Sequence, residues 1–243
     1  MEEKIIFGRN PVLEYLKADP QEIHSLSIAE NIHGKIIDDI GFLAKKNNIR
    51  IIRTSRKEMD KITDELNHQG VILRLKTSAK KTSDYRDLIE DAVSKKGVIV
   101  FLDQLTDPQN IGSIIRNAEA LGAIGVVMPK ANTPDINSTI VKTSAGATAY
   151  IPIVKVSNGA QFLEECRKNY IWVIGSSDKA TTEITRIREY RPAVLVIGNE
   201  GSGMRRLTGE KCDITVRIEM RGKISSLNAA VASGILLHEI LKD

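Results

Sequence analysis

Short, almost continuous apolar runs alternate with stretches whose apolar residues recur at helical spacing along most of the chain. Up to Leu75 the pattern describes a small α/β module. Asn10-Pro11 starts a helix, because Asn accepts from free amides and Pro fits the first helical position. Val12, Leu13 and Leu16 then give that helix an apolar face. Ile23 to Ala29 reads as a strand, and a helix from Gly34 to Lys46 carries Ile36, Ile37, Ile40 and Leu43 on one side. Arg50 to Arg53 reads as a second strand. Ser55 with Glu58 has the spacing of a capping box for a short helix, and Val71 to Leu75 closes the module as a strand.

The run from Lys76 to Ser83 is polar and basic, with one alanine as its sole apolar residue. It reads as a linker, which divides the chain into a module at 1–76, a linker at 77–84 and a second domain at 85–243. A long surface loop inside one domain is the alternative. Beyond it, strands are predicted at Val98–Leu102, Gly125–Met128, Ile171–Ile174, Ala193–Ile197 and Ile214–Ile218. Helices are predicted at Asp84–Ser94, Ile111–Leu121, Ala160–Asn169 and Leu227–Leu241. Alternation of this kind, with strands apolar on both faces, argues for an α/β domain built on a mostly parallel, doubly covered sheet.

Composition narrows the class without choosing a function. The chain has 243 residues, 42% hydrophobic and 27% charged, enough for a substantial core. Its formal net charge of +4 permits an anionic partner but does not demand one. Cys166 and Cys212 form no paired motif and read as reduced core residues of a cytoplasmic protein. His24, His33, His68 and His238 are scattered, so no metal site is expected. No apolar run approaches the ~20 residues of a bilayer span, and no signal segment is read at the start. With 4% aromatic residues, broad base-stacking platforms are not expected either.

Candidate chemistry collects in three loops that follow predicted strands. In an open parallel sheet, ligands bind beyond the carboxyl ends of strands, so three such loops describe one crevice. The first holds Asp107, Asn110 and, further along its helix, Arg116. Asp107 or Asn110 can cap that helix, whereas Arg116 stands beside Ile114, Ile115 and Ala118 and must reach solvent or an anion. The second is Gly198-Asn199-Glu200-Gly201-Ser202-Gly203, where glycine admits close approach to bare backbone. Its glycine order matches neither the dinucleotide fingerprint nor a P-loop, which also argues against a nicotinamide-dependent oxidoreductase. The third is Ser226-Leu227-Asn228 at the start of the last helix, with Ser225 or Ser226 as its expected N-cap.

Together these runs resemble the SpoU/TrmH family of RNA ribose 2′-O-methyltransferases, within the SPOUT superfamily. DPQNIGSIIRNAEALGA at 107–123, LVIGNEGSGMRRL at 195–207 and IEMRGKISSLNAAVASGILL at 218–237 are similar to its three motifs, in order. IIFGRNPVLEYL at 5–16 resembles the ribosomal-protein-like RNA-binding module of bacterial enzymes that methylate a guanosine in 23S ribosomal RNA. The resemblance implies a parallel-sheet SPOUT domain with a deep trefoil knot, S-adenosylmethionine as cofactor, a homodimer, and ribosomal RNA as substrate. Matched by position, Arg116, Asn110, Glu200, Ser226 and Asn228 are the catalytic candidates. Gly198, Ile218, Leu227, Ile197 and Met220 are the cofactor candidates. Arg50, Arg53, Arg74, Lys76, Lys80 and Lys81 are candidate RNA phosphate contacts. The third motif departs from the family in one place, with Glu219 where proline is usual. A transfer-RNA methyltransferase of the same family, and a catalytically silent RNA-binding assembly factor, are the competing readings.

Overall fold

The computed structural model describes residues 5–76, 84–177, 180, 182–199, 201, 203–224 and 226–242. The elements of its first part are β1 (Ile5–Phe7), α1 (Arg9–Ala18), β2 (Ile23–Ala29), α2 (Lys35–Lys46), β3 (Arg50–Thr54), α3 (Arg56–Ile62) and β4 (Val71–Leu75). Next come α4 (Tyr85–Lys95), β5 (Val98–Leu102), α5 (Pro108–Ala120), β6 (Gly125–Pro129), α6 (Ser138–Thr143) and β7 (Ile153–Val156). The chain ends through α7 (Gly159–Lys168), β8 (Trp172–Ser176), β9 (Thr182–Glu183), β10 (Ala193–Ile197), α8 (Arg206–Gly209), β11 (Ile214–Arg217) and α9 (Ala229–Leu241). Two compact units result: Met1–Lys81 with Ile136–Tyr150, and Thr82–Asp135 with Ile151–Asp243.

The first unit is a four-stranded sheet in the order β1-β4-β2-β3, with β2 and β3 parallel and the other pairs antiparallel. Its core is Ile6, Val12, Leu16, Leu26, Ile40, Met59 and Leu73, all buried. Val141 of α6 belongs to the same core, with Ile136 and Ala149 packed against it. The Tyr15 hydroxyl lies 3.1 Å from Thr148 Oγ1. Gly146, at φ +94°, sits where a Cβ would come within 2.7 Å of Glu14 Cβ.

One expected cap fails here. Helix α1 begins at Arg9 with Gly8 as N-cap, and no side chain caps it. Gln69 Oε1 instead accepts the Arg9 amide at 2.9 Å, and Gly8 O accepts from Val12. Asn10 and Pro11 therefore lie inside the first turn, where proline's missing N–H deprives no helical bond. The Ser55–Glu58 capping box forms as expected.

The second unit holds seven parallel strands in the order β7-β6-β5-β10-β8-β11-β9. The neighbouring strands β6, β5 and β10 are buried at every residue, whereas edge strand β7 alternates. A strand covered on both faces needs no polar position, which is why these runs were readable as strands. From β5 the chain steps one way to β6, while β10 returns to the other flank of β5. The order thus reverses between β5 and β10, and it is beyond the carboxyl ends of strands at such a point that ligands of open parallel sheets bind.

Candidate active site

Two helices bring the amide-bearing residues of the first and third loops together. Asp107 caps α5, its carboxylate accepting from the amides of Gln109 at 3.0 Å and Asn110 at 3.4 Å. The Asn110 side chain is therefore not the cap of α5. At α9 the N-cap is Asn228, not Ser225 or Ser226: its Oδ1 accepts from Ala230 N at 2.9 Å and Val231 N at 3.3 Å. An amide oxygen engaged as a cap turns the amide nitrogen outward. Asn228 Nδ2 accordingly donates to Asn110 Oδ1 at 2.8 Å, across 118 residues of sequence.

A second amide clamps the same helix pair a turn or two further on. Asn117 Nδ2 donates to Ala230 O at 2.8 Å and to Ser233 Oγ at 3.2 Å. Gly234 permits this contact, since a Cβ there would stand 3.2 Å from Asn117 Nδ2. The resulting cleft, of about 640 Å³, is lined by Asp107, Asn110, Ser113, Asn117 and Asn228 on its polar side. Val231 and Ile235 form its exposed apolar side.

Beyond β10 the chain folds back on itself. Asn199 and Gly203 pair through both backbone bonds, at 3.0 and 2.8 Å, with Gly203 at φ +68°. The Gly201 amide donates to Asn199 Oδ1 at 3.0 Å. A Cβ on Gly198 would lie 2.5 Å from both Gly203 C and Met204 N, so this turn closes only around glycine. Asp103, directly after β5, is fully buried, and both its oxygens hold Arg205 at the end of the turn.

The remaining expected residues fall as follows. Arg116 is exposed on α5. Ser226 is exposed just before Asn228, and Glu200 lies outside the described residues. Ile197 is buried at the end of β10, and Gly198 follows it. Ile218 and Met220 are half-buried after β11, and Leu227 is exposed just before the α9 cap. Gly198, Ile218, Met220, Ser226 and Leu227 lie in the stretches that follow β10 and β11. In the first unit Arg50 and Arg53 are exposed on β3, with Arg53 Nη1 donating to Ala29 O at 3.3 Å. Arg74 Nη1 donates to Ser27 Oγ at 3.2 Å and Lys76 Nζ to Gln21 O at 2.6 Å. Lys80 and Lys81 lie outside the described residues. Sequence reasoning missed Asp103, Asn117 and Arg205. An acid directly after five apolar strand residues was the available signal for Asp103.

Neither cysteine is a nucleophile. Burial, then the nearby Asp213 and Asp103, push the Cys212 thiol up to about 12, and burial raises Cys166 further. Both stay protonated at neutral pH, and only a thiolate attacks. Among the described residues no group of three His, Cys, Asp or Glu could hold a metal ion, and no helix is long and apolar enough to cross a membrane.

With this geometry in hand, comparison with known proteins is specific. Residues 97–238 match the SpoU rRNA Methylase family, and residues 5–81 match the RNA 2'-O ribose methyltransferase substrate binding family. A Bacillus subtilis protein named as a TrmH-family tRNA/rRNA methyltransferase, YacO, is 38% identical over 239 residues, covering 98% of this chain and 94% of its own. The 23S rRNA (guanosine-2'-O-)-methyltransferase RlmB of Pseudomonas syringae is 34% identical over 237 residues, again covering 98% and 94%. Among solved structures, the SpoU methyltransferase AviRb of Streptomyces viridochromogenes superposes with a TM-score of 0.81 at 25% identity, covering 99% of this chain and 89% of that one. AviRb has also been solved in complex with the cofactor AdoMet.

Proposed function

Because the chain belongs to the SpoU rRNA methylase family, we propose that it methylates a ribose 2′-hydroxyl in RNA from S-adenosylmethionine, at a guanosine of 23S ribosomal RNA. The observation that carries this reading is the Asn228–Asn110 hydrogen bond, which joins the first and third motifs at one crevice.

The residues present suit the cofactor. Gly198, Gly201 and Gly203 carry no side chain, so a ligand could approach their backbone closely, and Ile218, Met220 and Leu227, none of them buried, offer apolar groups beside the end of buried Ile197. S-Adenosylmethionine supplies an electrophilic methyl group for direct attack by the ribose oxygen. The protein's task is then to align that hydroxyl, take its proton away and hold the negative charge that develops. Asn110 and Asn228 present fixed amide edges for alignment. The Arg116 guanidinium is permanently charged in water, which suits it to hold the alkoxide or a neighbouring phosphate better than to accept a proton. Glu200 and Ser226 complete the polar set by their positions in the motifs.

The same reading extends to assembly. Val231 and Ile235 leave apolar surface on α9, which a second copy of the chain would cover in a homodimer. The family's trefoil knot, a cytoplasmic setting, and RNA phosphate contacts at Arg50, Arg53, Arg74, Lys76, Lys80 and Lys81 belong to this proposal as well.

The test is chemical identification of the product. The protein is incubated with labelled S-adenosylmethionine and either 23S ribosomal RNA or transfer RNA, and the RNA is digested to nucleosides. Label in 2′-O-methylguanosine from the ribosomal RNA is expected. Label on a base, or none from either RNA, overturns the proposal; label from transfer RNA alone moves the substrate.

A further inference from the structure

Asp103, outside the three motif runs, and Arg205, near the end of the second, form a unit that has been given no role so far, at the point where strand order reverses. Asp103 follows β5, and its backbone N–H donates to Ile197 O at 2.8 Å, which extends the β5–β10 ladder by one bond. Its carboxylate is fully buried and doubly used. Oδ2 accepts the Arg205 backbone N–H at 2.8 Å, and Oδ1 accepts Arg205 Nε at 2.8 Å. A buried carboxylate left alone would be strongly unfavourable, so this arrangement holds Arg205 in one place.

The arginine is only half spent. A guanidinium carries five N–H donors in a planar fork, and the bond to Asp103 uses the single one on Nε. The two Nη groups have no partner among the described residues, and the side chain is 43% exposed. A pair of Nη groups on a side chain anchored at Nε matches the oxygens of a phosphodiester. Its neighbour Arg206 differs, because its guanidinium is already bonded to Glu210.

Resting on the function proposed above, we propose that Arg205 grips a phosphate of the substrate RNA at the rim of the crevice, and that Asp103 is the positioning residue that aims it. The glycine-rich turn lies between Gly198 and Arg205, so anchoring Arg205 also fixes the turn's outgoing end. Asn199 Nδ2, donating to Gln104 O at 3.5 Å, ties the other end to the residue after Asp103.

The experiment compares binding of a 23S ribosomal RNA transcript, as a function of salt, by wild type and three variants. Arg205→Gln keeps an amide donor for Asp103 but loses the charged Nη edge. One lost phosphate contact on single-stranded RNA should flatten the log affinity against log salt slope by about 0.7, and affinity at low salt should fall roughly tenfold. Asp103→Asn leaves the charge but frees it, so affinity should fall while the slope is kept. The double variant Asp103→Asn/Arg205→Gln leaves no charge buried alone and should flatten the slope like Arg205→Gln, which keeps the test open if the single variant folds poorly. S-Adenosylmethionine affinity, by calorimetry, should stay within about threefold for Arg205→Gln, as befits a contact made to RNA. An unchanged slope in Arg205→Gln or in the double variant, with wild-type methyl transfer intact, overturns this assignment alone. Failure of the wild type to methylate any RNA overturns the underlying reading instead.

Discussion

Asn228 spends its carbonyl end on a helix and its amino end on Asn110, and the two duties can be separated by one substitution. Aspartate caps helices about as well as asparagine. Asn228→Asp should therefore hold the unfolding midpoint within a few degrees, while two facing oxygens replace the bond to Asn110. Methyl transfer should drop at least ~10-fold, a loss of about 1.4 kcal/mol or more in transition-state stabilisation. A thermal melt beside a kcat measurement checks both halves, and normal turnover would remove the pair from the chemistry. At this scale the sequence was partly legible. Asn110 and Asn228 stood out as polar residues at helix starts after apolar strands, where capping was an equally good reading, and Arg116 stood out as a charge among apolar neighbours inside its helix. Which of Asp107 and Asn110 caps α5 was undecidable, since both are favoured cap residues and the helix could start after either. Asp103 and Arg205 are 102 positions apart, and no local pattern announces a pair at that range.

Elements were legible in proportion to how completely they are buried. β5, β6 and β10 announce themselves by unbroken apolar runs. β1 has three residues and β9 two, too few for any period to show. In β7, Lys155 interrupts the pattern because it faces Asp135, which its ammonium contacts at 2.6 Å. Helix α6 is a single six-residue piece containing two threonines, an isoleucine and a valine, a composition that reads as strand. Element geometry also yields a prediction at Gly198. Its missing Cβ lets the turn close against backbone atoms of Gly203 and Met204, which cannot swing aside as a side chain can. Gly198→Ala should cost about 1–3 kcal/mol of stability by overpacking. It should also weaken S-adenosylmethionine binding at least ~10-fold by calorimetry. Unaltered binding would show that the turn does not shape the cofactor site.

At the scale of the whole molecule, the order of strands was beyond the sequence. Alternating patterns implied a parallel sheet, but the insertion of β10 between β5 and β8 depends on contacts that no window of residues contains. Assembly is argued at this scale too. Val231 is 52% exposed and Ile235 39%, side by side on α9. A glutamate buried at a subunit interface would be strongly unfavourable, so Val231→Glu should convert a dimer to monomers in sedimentation velocity. A wild type that sediments as a monomer at micromolar concentration would contradict the dimer.

The grouping of Ile136–Tyr150 with the amino-terminal unit has a consequence for anyone who dissects the protein. A fragment ending at Lys76 would carry every strand of its sheet yet lack Val141 from its interior. It would also bare Tyr15 and the flank of Glu14 that normally meet Thr148 and Gly146. Genes divide linearly, whereas this hydrophobic interior is stitched from two separate stretches of polypeptide. A half-molecule trimmed at the apparent seam would thus begin life with an unfilled hole, and supplying residues 136–150 as a peptide is the natural way to mend it.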